Sequence, residues 1–306
     1  MTNTTYTLPP LATYAPPPLV SVVMTVLNPH PLYFPEAVRS ILEQTLEDWE
    51  LIIIEDPSPR CGRDFLNDIC DQRIRYHRNT HRTSLVAQRN RGLSEARGEF
   101  MAVLDADDIA EPTRLQRQVE YLQAHPKIGV VGSQVCVIDA DGKPTGYRSF
   151  PTDHDNILQA LQCTVSVCQG SAMFRRALVR EVGGYHFSEE GTVEDYDLLS
   201  RLVVQGVRLA NLPQPLLRYR FHSEQMKATH LRSTIRGILA VKKRYWRDQM
   251  SLSARLRMWG ERLLLCIPPR LALSLVIQML YRDQSPAESL PLYLAEVAGQ
   301  QVPVQS

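Results

Sequence analysis

The chain has 306 residues, enough for one large α/β domain with an extension or for two small domains. An apolar content of 44% suits a packed core and excludes a disordered or fibrous chain. The formal net charge of +1 gives no global field towards nucleic acid, and 6 scattered cysteines without a C-x-x-C pair read as reduced thiols in a cytoplasmic protein.

The first 18 residues are rich in Thr and Pro and read as a flexible arm, with no basic-then-apolar leader. From Leu19 the pattern becomes that of a strand–helix alternation. LVSVVMTVL (Leu19–Leu27) is a β-branched apolar run, as in a strand buried on both faces. Pro35–Gln44 has helical spacing, and ELIIIED (Glu50–Asp56) is a second buried strand. Arg63–Cys70 reads as a helix, Arg73–Arg78 as a third strand, and Ser84–Gly98 as a helix stopped by Gly98. EFMAVLD (Glu99–Asp105) is the fourth strand. This alternation predicts a mostly parallel, helix-flanked sheet, whose ligands sit outside the carboxyl ends of the strands. Asn28, Asp56 and Asp105 follow on strand ends and so should converge on one edge.

Further on, Gly129–Phe150 reads as a hairpin turning at Asp141-Gly142. Ser171–Arg176 suggests a strand leading into a helix, and Val193–Gly206 a helix ended by glycine. Val207–Leu212 and Pro215–His222 read as two strands, and the chain is helical from His230. These boundaries divide it into an arm (1–18), a catalytic-type domain (19–228, halves about 19–110 and 111–228) and a helical extension (229–306).

The stretch MAVLDADDIAEPTRL places Asp105, Asp107 and Asp108 at the end of the fourth strand. Carboxylates this close repel one another unless a positive group compensates. A hard divalent cation shared with substrate phosphates is the usual one. The competing reading is an acidic turn before a helix that starts near Pro112.

Three stretches in order, VSVVMTVLN, EAVRSILEQTLEDWELIIIED and AQRNRGLSEARGEFMAVLDADDIAEPTRL, resemble family 2 glycosyltransferases over roughly Leu19–Ser223. The resemblance implies a GT-A fold and an inverting transfer of a sugar from a nucleotide-sugar, with a UDP-sugar as the expected donor. It implies that Thr25 and Asn28 line the nucleotide, that Asp56 hydrogen-bonds the base, and that Arg89 is a basic group nearby. By the same resemblance Asp105 touches ribose or sugar, while Asp107 and His222 hold Mn2+ or Mg2+. Asp195, in Glu194-Asp195 at a helix start, would be the base. Glu194, Gly170 and Ser171 would lie on the acceptor side, and Arg218 and Arg220 could meet the diphosphate. The acceptor would be a glycan or a lipid-linked glycan, as in polysaccharide synthesis. Two departures stand out. Pro57 replaces the family's glycine after Asp56, and Asn79-Thr80-His81-Arg82-Thr83 replaces a small glycine-containing loop. The first of them, in the Glu55–Ser58 loop, leaves open a nucleotide-sugar binding protein without catalysis. A nucleotidyltransferase would want a glycine-rich phosphate loop, and Asn28-Pro29-His30-Pro31 is not one.

Arg255–Leu265 and Arg270–Tyr281 mix leucines with basic residues, in runs too short or interrupted to span a bilayer. Two readings stay open: an interfacial pair bringing the protein to the inner membrane face, or a helical cap or homodimer contact.

Overall fold

The computed structural model describes residues 16–188, 193–221 and 228–268. Four parallel strands form its first half: β1 (Val20–Leu27), β2 (Trp49–Asp56), β3 (Ile74–Arg78) and β4 (Phe100–Val103), in the spatial order β3-β2-β1-β4. β2 is buried along its whole length because helices cover both faces, which is why its sequence is a continuous apolar run. The crossovers carry α1 (Tyr33–Leu42) and α2 (Leu85–Glu95). Ser84 caps α2, its Oγ accepting the Ala87 N–H at 3.1 Å. Gly92 lets this helix lie close on β1: a methyl group there would stand 2.3 Å from Val23 Cγ1.

The second half adds β5 (Ile109–Ala110), α3 (Arg114–Ala124), β6 (Ile128–Ile138), β7 (Pro144–Arg148), α4 (His154–Leu161), β8 (Met173–Arg175), α5 (Arg176–Glu181), α6 (Glu194–Val204) and β9 (Arg208–Arg220). β8 joins β4 to β6 by antiparallel pairing, β9 runs parallel to β6, and β5 and β7 are antiparallel additions. Among the described residues two large apolar clusters and a small one of Ile52, Ile54 and Ala96 fill the core. The β6–β7 hairpin turns where expected, with Gly142 at φ 81°.

Two expectations change. The helix at Arg63–Cys70 shrinks to one 3-10 turn, Gly62–Phe65. The two strands expected over 207–222 are one, β9, which carries Pro213 and Pro215 through register shifts against Ser133, Gln134 and Val135. Those irregularities absorb the missing proline N–H groups without ending the strand.

Helices α7 (Ala228–Val241) and α8 (Leu252–Leu264), joined by a π-helical turn at Lys242–Trp246, form the described part of the extension. It is fixed to α6: Trp246 Nε1 donates to Ser200 Oγ at 3.1 Å and Tyr245 Oη to Asp197 Oδ1 at 2.9 Å. The fully buried Lys242 donates to Glu261 at 2.6 Å, tying α8 to the turn. Among the described residues no helix is long and apolar enough to cross a membrane. Residues 1–15 of the arm, His222 and the helix expected at 270–281 lie outside the described residues. All 6 cysteines are free thiols.

Candidate active site

Register alone brings the strand ends together: Leu27 pairs with Asp56, and Val23 with Val103 two residues before Asp105. Asn28 leaves β1 at φ 53°, in the left-handed region that asparagine tolerates, and its N–H donates to Ser58 Oγ at 3.2 Å. Thr25, three residues earlier on β1, is partly exposed.

Asp56 sits where predicted but is fully buried. Asn79 Nδ2 donates to Oδ1 at 2.6 Å, the Thr83 N–H to Oδ2 at 2.6 Å, and Thr83 Oγ1 lies 3.0 Å from Oδ1. Burial pushes this carboxyl up, but the hydrogen bonds from Asn79 and Thr83 outweigh it and hold it below the usual range. In this structure Asn79 and Thr83 engage both of its oxygens. Its carboxylate organises the 79–83 loop, and the departure at Asn79–Thr83 supplies the partners that do so.

The acids after β4 form the centre. Asp105 is about one-third exposed (35% of its side chain), whereas Asp108 is completely buried. Asp108 Oδ1 accepts the Arg220 N–H at 2.9 Å, and its Oδ2 has no hydrogen-bond partner. Burial, with repulsion from Asp107, raises both Asp105 and Asp108 above the usual carboxylate range, and Asp105 adds to the effect on Asp108. Gly170 closes on both: a Cβ there would stand 3.1 Å from Asp108 Oδ2 and 3.4 Å from Asp105 Oδ2. Two guanidinium groups oppose this charge. Arg89 Nη2 lies 3.6 Å from Asp105 Oδ1. Arg114 is fully buried below the acids and donates to Val103 O at 2.7 Å; burial brings it down to about 10 against the pull of Cys168 and the two acids.

Arg89 also joins the two halves of the domain. Its Nη1 donates to Glu194 in the first turn of α6, and both side chains are 7% exposed. Burial raises Glu194, partly offset by Arg89. Asp195, the next residue, is partly exposed and is one of the charges that raise Asp105. The Arg89 guanidinium lies 5.5 Å over the Tyr185 ring, and the Tyr185 hydroxyl accepts from Gln169 Nε2 at 2.6 Å. Burial takes this phenol up to about 12. Its backbone is clamped by Asn90, whose side chain donates to Tyr185 O and accepts its N–H, both at 2.8 Å. Gly184, at φ 73°, permits the approach: a Cβ would come within 2.5 Å of Asn90 Oδ1.

Asp105, Asp107, Arg89, Gly170, Glu194 and Asp195 are thus gathered around one edge of the sheet. Ser171 is not on an acceptor-facing surface: it is fully buried, its hydroxyl donating to Cys168 O at 2.9 Å and accepting the Ser133 N–H at 3.2 Å. Arg220 is likewise not turned to a diphosphate. It donates to Asp107 O at 3.0 Å, to Asp139 O and Ala140 O, and to Glu36 at 2.6 Å, with Tyr33 stacked 4.3 Å away. Arg218 pairs with Glu111 at 2.6 Å. The sequence alone gives no sign of Arg114 and little of Asp108, since a side chain aimed inward from a helix start or loop leaves no periodic signal.

A family model described as Glycosyl transferase family 2 matches residues 21–183. The putative glycosyltransferase EpsE of Bacillus subtilis is 31% identical over 241 residues, 77% of this chain and 85% of that protein. The UDP-Glc:alpha-D-GlcNAc-diphosphoundecaprenol beta-1,3-glucosyltransferase WfaP of Escherichia coli is 26% identical, covering 71% of this chain and 83% of its own. Among solved structures, the mannosyltransferase PcManGT of Pyrobaculum calidifontis, in complex with GDP-Man and Mn2+, superposes with a TM-score of 0.57 at 19% identity, over 93% of this chain and 81% of that chain. The fold is that of the GT-A glycosyltransferases, as the sequence predicts. The chain belongs to glycosyl transferase family 2 and is a glycosyltransferase.

Proposed function

We propose that this glycosyltransferase moves a sugar from a UDP-sugar to a hydroxyl of a glycan or lipid-linked glycan, with inversion, in polysaccharide assembly. The observation that carries the reading is the convergence of Asp105, Asp107 and Arg89 at the sheet edge with Asp195 at the facing start of α6. The name of the Escherichia coli relative supports both the UDP donor and the lipid-linked acceptor.

The acids fit a divalent cation. Burial and repulsion from Asp107 raise Asp105 and Asp108 against the pull of the nearby guanidinium groups, and Asp108 Oδ2 is buried without a hydrogen-bond partner. Among the described residues no group of three or more acids, histidines or cysteines forms a metal cage, so an ion there would lean on the donor's diphosphate, as Mg2+ and Mn2+ do. Asp105 and Asp107 would hold it, and it would supply positive charge to the leaving diphosphate.

The chain's own groups do the rest. Thr25, Asn28 and the loop held by Asp56 receive the nucleoside. The Asp195 carboxylate takes the proton of the acceptor hydroxyl as its oxygen attacks the anomeric carbon, opposite the bond that breaks to release UDP. Arg89 pairs with Glu194 and holds α6 in place beside Asp105, so base and donor are positioned by one ion pair.

Calorimetric titration with UDP, GDP and dTDP, each with Mn2+, Mg2+ or chelator, tests the donor side. UDP should bind only with metal, and Asp107→Ala should abolish that dependence. UDP binding indifferent to both would overturn the metal assignment, and preference for GDP or dTDP would overturn the base.

A further inference from the structure

One face of α8 is apolar and turned away from the protein. Leu252, Leu256, Trp259 and Leu263 recur at helical spacing along it and are 75%, 64%, 60% and 66% exposed. The opposite side carries the buried Ala254 and the Lys242–Glu261 ion pair, so this helix is already docked and the stripe is its outer surface. Contiguous exposed apolar faces of this kind mark interaction sites. Beside the stripe a cavity of about 620 Å³ is lined by Lys243, Arg247, Arg255 and Arg262, with Asp248 as the acid of its wall. Arg262 lies 5.2 Å over the Trp259 ring, so cation and indole present one continuous surface.

We infer that α8 is a docking helix for an anionic phospholipid surface, with the leucines and Trp259 entering the acyl boundary and the basic residues meeting lipid phosphates. Charge decides among the possible occupants. A second copy using the same face would set two groups of arginines against each other. The chain's own apolar run at 271–280 is flanked by Arg270 and Arg282, and its first acid, Asp283, comes only after them, so it offers the basic wall no counter-charge along that run. A bilayer rich in anionic headgroups complements both parts of the face. The 13 residues of α8 span about 20 Å, short for crossing a bilayer and suitable for lying along it. Because α8 is tied through Lys242 and Trp246 to α6, whose first turn carries Asp195, the docked face would hold the candidate site at a fixed attitude to the membrane. The inference stands on the helix face and is independent of the donor assignment.

The protein contains 3 tryptophans, and Trp49 and Trp246 are buried, so Trp259 is the exposed reporter. The full chain is mixed with vesicles of phosphatidylcholine alone or with about one-third phosphatidylglycerol. Co-sedimentation with the anionic vesicles, a blue shift of Trp259 emission, and release by high salt are expected, with little binding to phosphatidylcholine. Leu256→Glu/Leu263→Glu should weaken binding at least about tenfold, and Arg255→Glu/Arg262→Glu should abolish the preference for anionic vesicles. Both are surface changes, checked by an unchanged thermal melt. Absence of vesicle binding, or equal binding by the leucine variant, would overturn the inference. So would Trp259 emission already shielded from a soluble quencher without lipid; sedimentation would then assign the cover to the chain's own C-terminal segment in a monomer or to a second copy in a dimer.

Discussion

Arg89→Met removes a cation that stands between the two halves of the site. Its partners differ in their access to water: the Asp105 side chain is 35% exposed, but Glu194 is 7% exposed. Water can take over the solvation of Asp105, whereas Glu194 would be left as an unpaired buried charge. Breaking such a pair costs about 3–5 kcal/mol, and the low end applies here because Arg89 Nε makes no hydrogen bond that would be lost. Glu194 already has a raised folded-state pKa, through burial. A group raised in the folded state binds protons that the unfolded state has released, so stability falls as pH rises through that window. Loss of Arg89 raises it further, so the deficit should be largest near neutral pH and shrink in acid. Arg89→Met/Glu194→Gln removes both charges and should recover about 2 kcal/mol of the loss. Urea unfolding of the four proteins of this cycle, at about pH 5 and pH 8, reads the coupling directly. A single-variant cost below about 1 kcal/mol, or a double variant equal to the sum of the singles, would refute the buried-pair account. Transfer activity should stay low in the double variant, because Arg89 also faces Asp105.

Asp108→Asn keeps the Oδ1 that accepts from Arg220 and removes a charge repelled by Asp105 and Asp107. Asp105 and Asp108 both being raised, the metal-free wild type should lose stability as pH climbs above the ordinary carboxylate range; thermal melts should show the variant higher near neutral pH and level with wild type in acid. Asp195→Asn should lower turnover by about 10²–10⁴ while the UDP affinity is kept, whereas a wild type without turnover would point to a nucleotide-sugar binding protein. Gly92→Ala forces a methyl against Val23 and should cost about 1–3 kcal/mol in denaturant unfolding.

The pattern of residues 19–105 was enough to define the parallel half of the sheet. Buried strands read as continuous apolar runs, and alternation with helices leaves few ways to connect them. It also determined that Asn28, Asp56 and Asp105 share one edge, because parallel strands all end on the same side. Order along the chain and a handful of motifs were enough to recognise the family. Orientation and company needed the tertiary structure. Asp56 and Ser171 turn out to be buried in internal hydrogen bonds, and Arg220 at the end of β9 reaches Asp107 in the turn after β4 and Glu36 of α1, both far away in sequence. The joining of two expected strands into β9 depended on bulges against β6, which no local signal records. Arg89 was expected as a basic group near the nucleotide, but its pairing with Glu194 appears only once α6 packs against it. Periodicity reports which face of an element is apolar; which charge meets which is decided only when the elements pack and water is excluded between them.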